Sequence, residues 1–489
     1  MEDYDIVVLG GGSGSQVATA AAEKGLEAAV LEPGPLGGAC ITRGCVPSKG
    51  LIHRADVIAE IQRADRFGID ADVIDVAYGE ITDAIHDTVF EKADRQRESL
   101  ETNEQVTLYD AAGRFVDERT VELVDPESEE SGADADGRRI RGEDVIIAVG
   151  SRPTAPPIDG LQDLEYLTSD DALYLDERPD RLVIVGGGYI GAELGYFFGA
   201  LGAEVSIVGR SDRLVPSEDD DVSAVVTDSL EEYCDLYTGF EATAVSSRNG
   251  GVSVTVESAE SGDEEVASEE LEADDLLVAA GRRPNTDTLD LEETGLEAGD
   301  DGSLPVDETL ETDIDGIWAL GDVIGEFPFK HVADYEAELV SANVLDDEQR
   351  AVDYTGVPHA IFTSPQVASL GKTESELAED DREYDAATVP YGTAPMGTVL
   401  AADDGFVKVL AAPGGKILGC HIVGPQASTL IHEVAVAVQR GDGTVADIAE
   451  TVHVHPALNE VVLAAFDEVA SRPYSTTPDW RDVSESKQN

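Results

Sequence analysis

Cys40 and Cys45, with four residues between them inside the run Gly37 to Lys49, are the side chains of this sequence best suited to do chemistry. A thiol pair passes two electrons by opening and closing a disulfide, which needs its Cα atoms within about 7 Å. In an ideal helix this spacing would not bring the sulfurs face to face. Pro47 lacks an N–H and loosens the turn that holds Cys45, and a distorted first turn brings them together. A thiolate at a helix N-terminus is also stabilised. The plain alternative is a pair of buried structural cysteines; the glycines, Pro47 and Lys49 fit the redox reading better. Near the other end stands His455, with Pro456 after it and Glu460 five residues on. Imidazole takes and returns a proton near neutral pH, and a carboxylate behind it fixes its tautomer.

Such groups need a frame. Ile6 to Leu9 reads as a short buried strand, followed by the turn Gly10, Gly11, Gly12, Ser13, Gly14, Ser15, a helix over Gln16 to Lys24 and a second strand Ala28 to Leu31. This is a dinucleotide-binding βαβ unit: Gly10 and Gly12 let the backbone turn and approach a pyrophosphate, and the helix N-terminus favours its charge. Glu32 lies where an acid bonds the ribose hydroxyls of an adenosine, and Ser15 takes the place of the usual Gly or Ala. A second unit repeats the plan, with the strand Leu182 to Val185, the turn Gly186, Gly187, Gly188, Tyr189, Ile190, Gly191, a helix to about Leu201 and a strand Glu204 to Val208. Two units imply two dinucleotides. After Val208, where an NAD site places an acid, stand Gly209, Arg210, Ser211, Asp212 and Arg213. With no acid to repel a 2′-phosphate and two arginines to hold it, NADPH is expected over NADH.

A strand closed by glycine follows each unit, Val145 to Gly150 and Leu276 to Gly281, and from about Val357 the segments look antiparallel, with a helix over Ser428 to Gln439. Cys420, in the apparent strand Ile417 to Ile422, and Cys234 are read as packing residues. Four unevenly spaced cysteines in 489 residues do not make a secreted disulfide scaffold.

Asp and Glu number 102 against 32 Lys and Arg, a formal charge of -70, which argues against nucleic-acid partners and anionic membrane surfaces. Acidic runs such as Glu127 to Asp136 and Asp263 to Asp275 read as solvated loops. A surface this acidic suits very high salt, where the Debye length falls to about 3 Å and self-repulsion costs little. The expected setting is a salt-loaded cytosol. The start, Met1 to Asp5, has no basic segment of a signal peptide. Leu182 to Val208 is apolar enough to suggest a membrane crossing, but its glycines divide it into strand, turn, helix and strand.

The box Cys40 to Lys49 resembles the redox-active motif of the pyridine nucleotide-disulfide oxidoreductases, the family of glutathione reductase and dihydrolipoamide dehydrogenase. Gly150 after Ala148 and Val149, Gly281 in Ala280 to Asn285, Gly321 and Asp322 in Ala319 to Asp322, and His453 to Glu460 resemble further family signatures in the right order. Departures are Ala39, Ser15, Ala457 and Asn459. The resemblance implies an α/β fold with two Rossmann-like dinucleotide-binding domains and a C-terminal α+β dimerisation domain. The expected divisions are 1-155 (FAD, first part), 156-282 (nicotinamide nucleotide), 283-345 (FAD and central segment), 346-470 (dimerisation) and 471-489 (polar tail).

By the same resemblance, Cys45 is the sulfur beside the flavin and Cys40 the one that attacks substrate. Lys49 and Glu193 pair near the flavin, and Tyr189 is the ring that moves aside for nicotinamide. FAD is expected on Gly10, Gly12, Gly14, Ser15, Glu32, Gly38, Lys49, Gly113, Gly150 and Asp322. NADPH is expected on Gly186, Gly188, Tyr189, Gly191, Glu193, Arg210, Arg213 and Gly281. His455, oriented by Glu460, would be the acid and base of thiol exchange, supplied to the other subunit of a homodimer. No metal site is expected, and mercuric reductases are disfavoured because no cysteine pair follows Cys420.

Between Pro33 and Ala55 there is no acid, while Arg43, Lys49, His53 and Arg54 fall within the stretch. Bases beside the thiols suit a disulfide bearing carboxylates, so Arg43, His53 and Arg54 are the expected substrate contacts. The motifs look closest to mycothione reductase and bis-γ-glutamylcystine reductase, and with salt adaptation the second is the expected activity. Dihydrolipoamide dehydrogenase is the rival enzyme; a catalytically silent flavoprotein is the rival outside enzymes.

Overall fold

The computed structural model describes residues 1–125, 137–248, 250–259, 267–346 and 349–470. The acidic run Glu127 to Asp136, the start of the run from Asp263 and the tail 471–489 lie outside the described residues.

The first domain is built on a sheet in the spatial order Val106–Tyr109, Ala28–Leu31, Glu2–Leu9, Arg139–Ile147, Thr120–Val124, Ala112–Asp117, with Ile317–Ala319 also paired to Arg139–Ile147. The strands around Glu2–Leu9 run parallel, and Thr120–Val124 and Ala112–Asp117 are antiparallel additions. Ile6 to Leu9 are all buried, as a central parallel strand covered on both faces requires, which is why the sequence there is an unbroken apolar run. The first nucleotide helix runs Ser15–Glu23. A helix over Tyr78–Glu101, polar along most of its length, has no counterpart among the expectations. It buries a stripe of Tyr78, Thr82, Ile85, Val89 and Ala93, a helical period that its many charges conceal.

The second domain has the parallel order Cys234–Thr238, Glu204–Gly209, Arg181–Val185, Asp275–Val278, with the helix Tyr189–Ala200 after its glycine turn. The apolar run from Leu182 is thus strand, helix and strand, and among the described residues no helix is long and apolar enough to cross a membrane. Where the chain passes between the two domains, Ser151–Pro153 and Arg282–Pro284 pair antiparallel.

The third domain is a five-stranded antiparallel sheet, Pro358–Ile361, Val367–Gly371, Ile417–Val423, Phe406–Ala411 and Asp385–Pro390. The helices Ala427–Arg440 and Asn459–Val469 pack on it. Cys420 is fully buried on the sheet and Cys234 is buried in the second domain, the packing roles their contexts suggest.

Candidate active site

A cavity of ≈ 590 Å³ is lined by the first glycine turn with Glu32 and Gly113, by Cys40, Cys45 and Lys49, and by Tyr189 and Glu193 of the second unit. The first glycine turn has no room for side chains. A Cβ on Gly10 would lie 2.2 Å from the carbonyl oxygen of Ala148, and one on Gly38 would lie 2.9 Å from the Cα of Gly12. Glu32 is held ready by its own loop: Gly11 N–H donates to Oε2 at 2.8 Å and Gly34 N–H to Oε1 at 3.2 Å. Ser15 fits the fingerprint by bonding inward, donating to the Gly12 carbonyl at 2.8 Å and accepting from Gln96 Nε2 at 3.2 Å. Also on the lining, Ser151 Oγ donates to Asp322 at 2.5 Å, and Arg282 Nε donates to Ser151 Oγ at 2.9 Å. A cavity lined by the glycine turn, by an acid held ready for ribose hydroxyls and by a thiol pair fits FAD.

The thiols are not placed as expected. Cys40 lies on a short helix, Gly38–Thr42, and Cys45 opens a separate one, Cys45–Gln62. The break falls at Arg43 and Gly44, not within one helix loosened by Pro47. Gly44 folds its backbone against the first helix so closely that a Cβ there would lie 3.0 Å from the Ala39 carbonyl oxygen. Pro47 sits in the first turn of the second helix, where its missing N–H costs nothing. Both cysteines are free, and their sulfurs share a hydrogen bond. That bond from Cys40, with Lys49 nearby, brings the Cys45 thiol down to about 7 against the opposing effect of burial. Cys40, which keeps the proton, is pushed up by the same bond and by burial.

Lys49 Nζ donates to Glu193 Oε2 at 2.6 Å, and the other carboxylate oxygen accepts from the backbone N–H of Phe362 at 2.9 Å. The ammonium also lies 5.0 Å from the centre of the Phe362 ring. One carboxylate therefore joins a helix of the first domain, a helix of the second and the sheet of the third.

In the second domain the loops are as tight as in the first: a Cβ on Gly191 would lie 1.9 Å from the Gly186 carbonyl oxygen. Gly188 caps the helix, and the positive φ of Gly150 and Gly281 flanks the paired strands between domains. Gly209 closes its strand against Gly187, and Arg210 and Arg213 are exposed just beyond. Arg213 donates to the carbonyl of Asp220 at 2.7 Å, so Arg210 is the freer guanidinium of the two.

His455 is not at this cavity. It stands on the third domain with its side chain 63% exposed, Nδ1 bonded to Glu460 Oε1 at 2.8 Å, while Ala457 N–H donates to Glu460 Oε2 at 3.1 Å. The imidazole is oriented as its spacing suggested and faces outward, as a group meant for another chain would.

The expected substrate contacts separate. Arg43 lines the cavity but turns Nε toward Asp170 at 3.3 Å. His53 and Arg54 do not line it: they lie two turns or more along the helix from Cys45, about 12 Å by helical rise, and Arg54 bonds back to the Gly50 carbonyl at 2.9 Å. Closeness in sequence became distance along a helix axis. Ser151, Lys330 and Phe362 carry parts of the site that no motif marks, although Ser151 follows Gly150 directly; Arg282 sits inside the signature Ala280 to Asn285 but has no expected role there.

Residues 4–337 match the family profile described as pyridine nucleotide-disulphide oxidoreductase, and residues 357–466 match that family's dimerisation domain. Among curated relatives, dihydrolipoyl dehydrogenase 3 of Haloarcula marismortui is 37% identical over 466 residues, covering 94% of this chain and 95% of its own. Dihydrolipoyl dehydrogenase of Haloferax volcanii is 37% identical over 476 residues, covering 96% and 97%. These names replace the expected nearness to mycothione and bis-γ-glutamylcystine reductases. Of solved structures, the HOCl-induced flavoprotein disulfide reductase RclA of Escherichia coli, as its Cu(II) complex, superposes with a TM-score of 0.82 at 25% identity, covering 96% of this chain and 100% of its own. LpdA of Mycobacterium tuberculosis gives 0.82 at 27% identity, covering 96% and 99%. With a redox dithiol lining a dinucleotide cavity and both domain profiles matched, the chain belongs to the FAD-dependent pyridine nucleotide-disulphide oxidoreductases, enzymes that act on disulfides.

Proposed function

We propose that this protein is a homodimeric flavoenzyme that exchanges two electrons between a nicotinamide nucleotide and a small disulfide, in a salt-rich cytoplasm. The observation that carries this reading is the pairing of Cys40 and Cys45 on the lining of the cavity, with Cys45 held near its thiolate form beside the Lys49–Glu193 pair. FAD, when bound, relays electron pairs between nicotinamide and dithiol. Glu32 and Asp322 would hold it, and Tyr189 would be the ring that moves aside for nicotinamide. Cys40 makes and breaks the bond to substrate sulfur. His455 Nε2, opposite the Nδ1 bonded to Glu460, takes and returns the proton.

Lipoamide is the substrate that the relatives favour, since the similar haloarchaeal proteins carry the name dihydrolipoyl dehydrogenase. A specific observation supports a second reading, NADPH-dependent reduction of bis-γ-glutamylcystine. Gly209 and Arg210 stand where an NAD-linked enzyme needs a ribose-binding acid, and an NADPH-linked enzyme of this chemistry is fitted to reduce disulfides. The loss of His53 and Arg54 from the cavity weakens that reading's substrate contacts and leaves its cofactor argument intact. Steady-state rates in high salt, with each nucleotide against lipoamide, dihydrolipoamide and bis-γ-glutamylcystine, decide the matter. A kcat/KM larger by orders of magnitude for one pair names the substrate, and no turnover with any disulfide would refute both readings.

A further inference from the structure

The chain leading into His455 is an exposed segment with one buried side chain. Val452 is 95% exposed and Val454 74%, while the side chain of His453 between them is 5% exposed. His453 bonds the Thr451 carbonyl through Nδ1 at 3.0 Å and Glu433 Oε2 through Nε2 at 2.9 Å. Glu433 belongs to the helix Ala427–Arg440, and its other oxygen, Oε1, accepts from Asn459 Nδ2 at 2.9 Å. Asn459 opens the helix Asn459–Val469 and directly precedes Glu460, the carboxylate bonded to His455. One carboxylate therefore grips the chain on both sides of His455.

We propose that Glu433 is a positioning residue for the pair His455 and Glu460, acting through His453 on one side and Asn459 on the other. The inference rests on the reading above that His455 moves the proton of thiol exchange. Proton transfer needs its partners aligned, and a misplacement of about 1 Å can cost about 100-fold. The bonds His455–Glu460 and Ala457–Glu460 close within residues 455–460, so they shape the pair only locally. On the Glu460 side, Leu458 is buried in the core of the third domain and the helix Asn459–Val469 packs on its sheet. On the other side Val452 and Val454 stand in solvent, and the buried group that ties the segment down is the His453 ring. Glu433 joins the two sides.

The donor set suits that task. A carboxylate has two oxygens and accepts from an imidazole and an amide at once, so neither bond is made at the expense of the other. Asn459 is also one of this chain's departures from the terminal signature that His453 to Glu460 resembles, so its side of the clamp comes from a residue outside the shared pattern. Glu433 bonds neither His455 nor Glu460 itself, and its influence on the imidazole passes through the two residues it holds.

The test uses the FAD-loaded enzyme and stopped-flow absorbance of both half-reactions: flavin reduction by the nicotinamide nucleotide, and reoxidation of the two-electron-reduced enzyme by lipoamide or bis-γ-glutamylcystine, whichever the parent turns over with the higher kcat/KM. Glu433→Ala should slow reoxidation about 10-fold and leave flavin reduction within about twofold of the parent. Asn459→Ala, a change at the first residue of its helix, should slow reoxidation about threefold and gives a second reading should Glu433→Ala fold poorly. In a His455→Ala background neither change should slow reoxidation by more than about a further twofold, because a residue that acts through the imidazole then has nothing to act on. Losses as large in that background as in the parent overturn the proposal. So does unchanged reoxidation in both single variants, or a loss that falls on flavin reduction instead. A loss below about threefold in His455→Ala itself overturns the reading of His455 and this proposal with it, whereas additive losses beside a large His455→Ala effect overturn the proposal alone.

Discussion

Lys49 and Glu193, 144 residues apart in sequence, meet at 2.6 Å beside Cys45, and the same carboxylate accepts the Phe362 N–H from the third domain. Glu193 is 4% exposed, so the pair is screened little even in strong salt. The arrangement sets the charge at Cys45: Lys49 favours the thiolate and Glu193 opposes it.

Lys49→Met should therefore raise the Cys45 thiol above about 7 by about one pH unit. Ultraviolet titration of the thiolate in the reduced enzyme checks this, with Glu193→Gln expected to move it the other way. A Lys49→Met titration curve that coincides with that of the parent would remove the lysine from the account.

Cys40→Ser should abolish disulfide reduction while FAD stays bound and is still reduced by the nicotinamide nucleotide. The cavity is lined by Cys45, Lys49 and Glu193 independently of the Cys40 sulfur, so the reductive half keeps its parts. Stopped-flow flavin absorbance separates the halves, and near-normal turnover with any disulfide would contradict the dithiol mechanism.

His455→Ala should lower turnover by about 100-fold or more, with nicotinamide affinity nearly unchanged, because the imidazole lies away from the nucleotide cavity. Glu460→Gln keeps an acceptor for Nδ1 but withdraws the charge behind it, and should lose less. Turnover of the three proteins checks this order, and a loss below about threefold in His455→Ala would deny the imidazole a proton-transfer role.

Much of the fold was legible because parallel strands buried on both faces are apolar runs and phosphate turns demand glycine, so both βαβ units stand out. The helix Tyr78–Glu101 did not, since its buried stripe is diluted by the charged residues between its apolar ones. Motif residues of the site were legible for the same steric reasons. Lys330 and Phe362 were not, because each acts through long-range packing and neither sits in a pattern. Of the expected substrate contacts Arg43 lines the cavity, whereas His53 and Arg54 are near Cys45 in sequence and are carried away from it along a helix.

Lys408, 2% exposed, is surrounded by Asp219, Asp221 and Glu374, and ties the second domain to the third. Burial works to raise Asp219, but its bonds from Lys408 and the Glu374 N–H outweigh it and hold the carboxyl below its ordinary value. Glu218 beside it is likewise held down by His359 and Ser369 despite burial. Depressed carboxyls stabilise the fold above their unfolded values and lose that contribution as pH falls through the folded ones. Stability should thus drop as pH is lowered below about 4. Lys408→Met strands buried Asp219 and should cost about 3 to 5 kcal/mol near neutral pH, with a shallower acid limb. Thermal unfolding in concentrated KCl across pH measures both, and equal stability would show the cluster to be idle.

Nucleotide choice turns on the end of the strand Glu204–Gly209. Gly209 lies against Gly187, where a Cβ would stand 3.2 Å from its Cα, so a longer side chain there would crowd the second glycine turn. A Glu there would repel a 2′-phosphate and accept from ribose hydroxyls instead. On the NADPH reading proposed above, Arg210, exposed and next in sequence, is the cation to meet the 2′-phosphate, whereas Arg213 is engaged with the Asp220 carbonyl. A charge-assisted bond of this kind contributes about 1.5 to 3 kcal/mol, so losing it and adding repulsion should reverse a preference of about 10- to 100-fold. Gly209→Glu with Arg210→Ala is therefore expected to turn an NADPH-preferring enzyme into an NADH-preferring one, with kcat for the disulfide half unchanged. The comparison is kcat/KM for each nucleotide in parent and double variant, with Arg213→Ala alone expected to change the ratio less than Arg210→Ala. Equal use of NADH and NADPH by the parent enzyme would show that this loop does not discriminate at all.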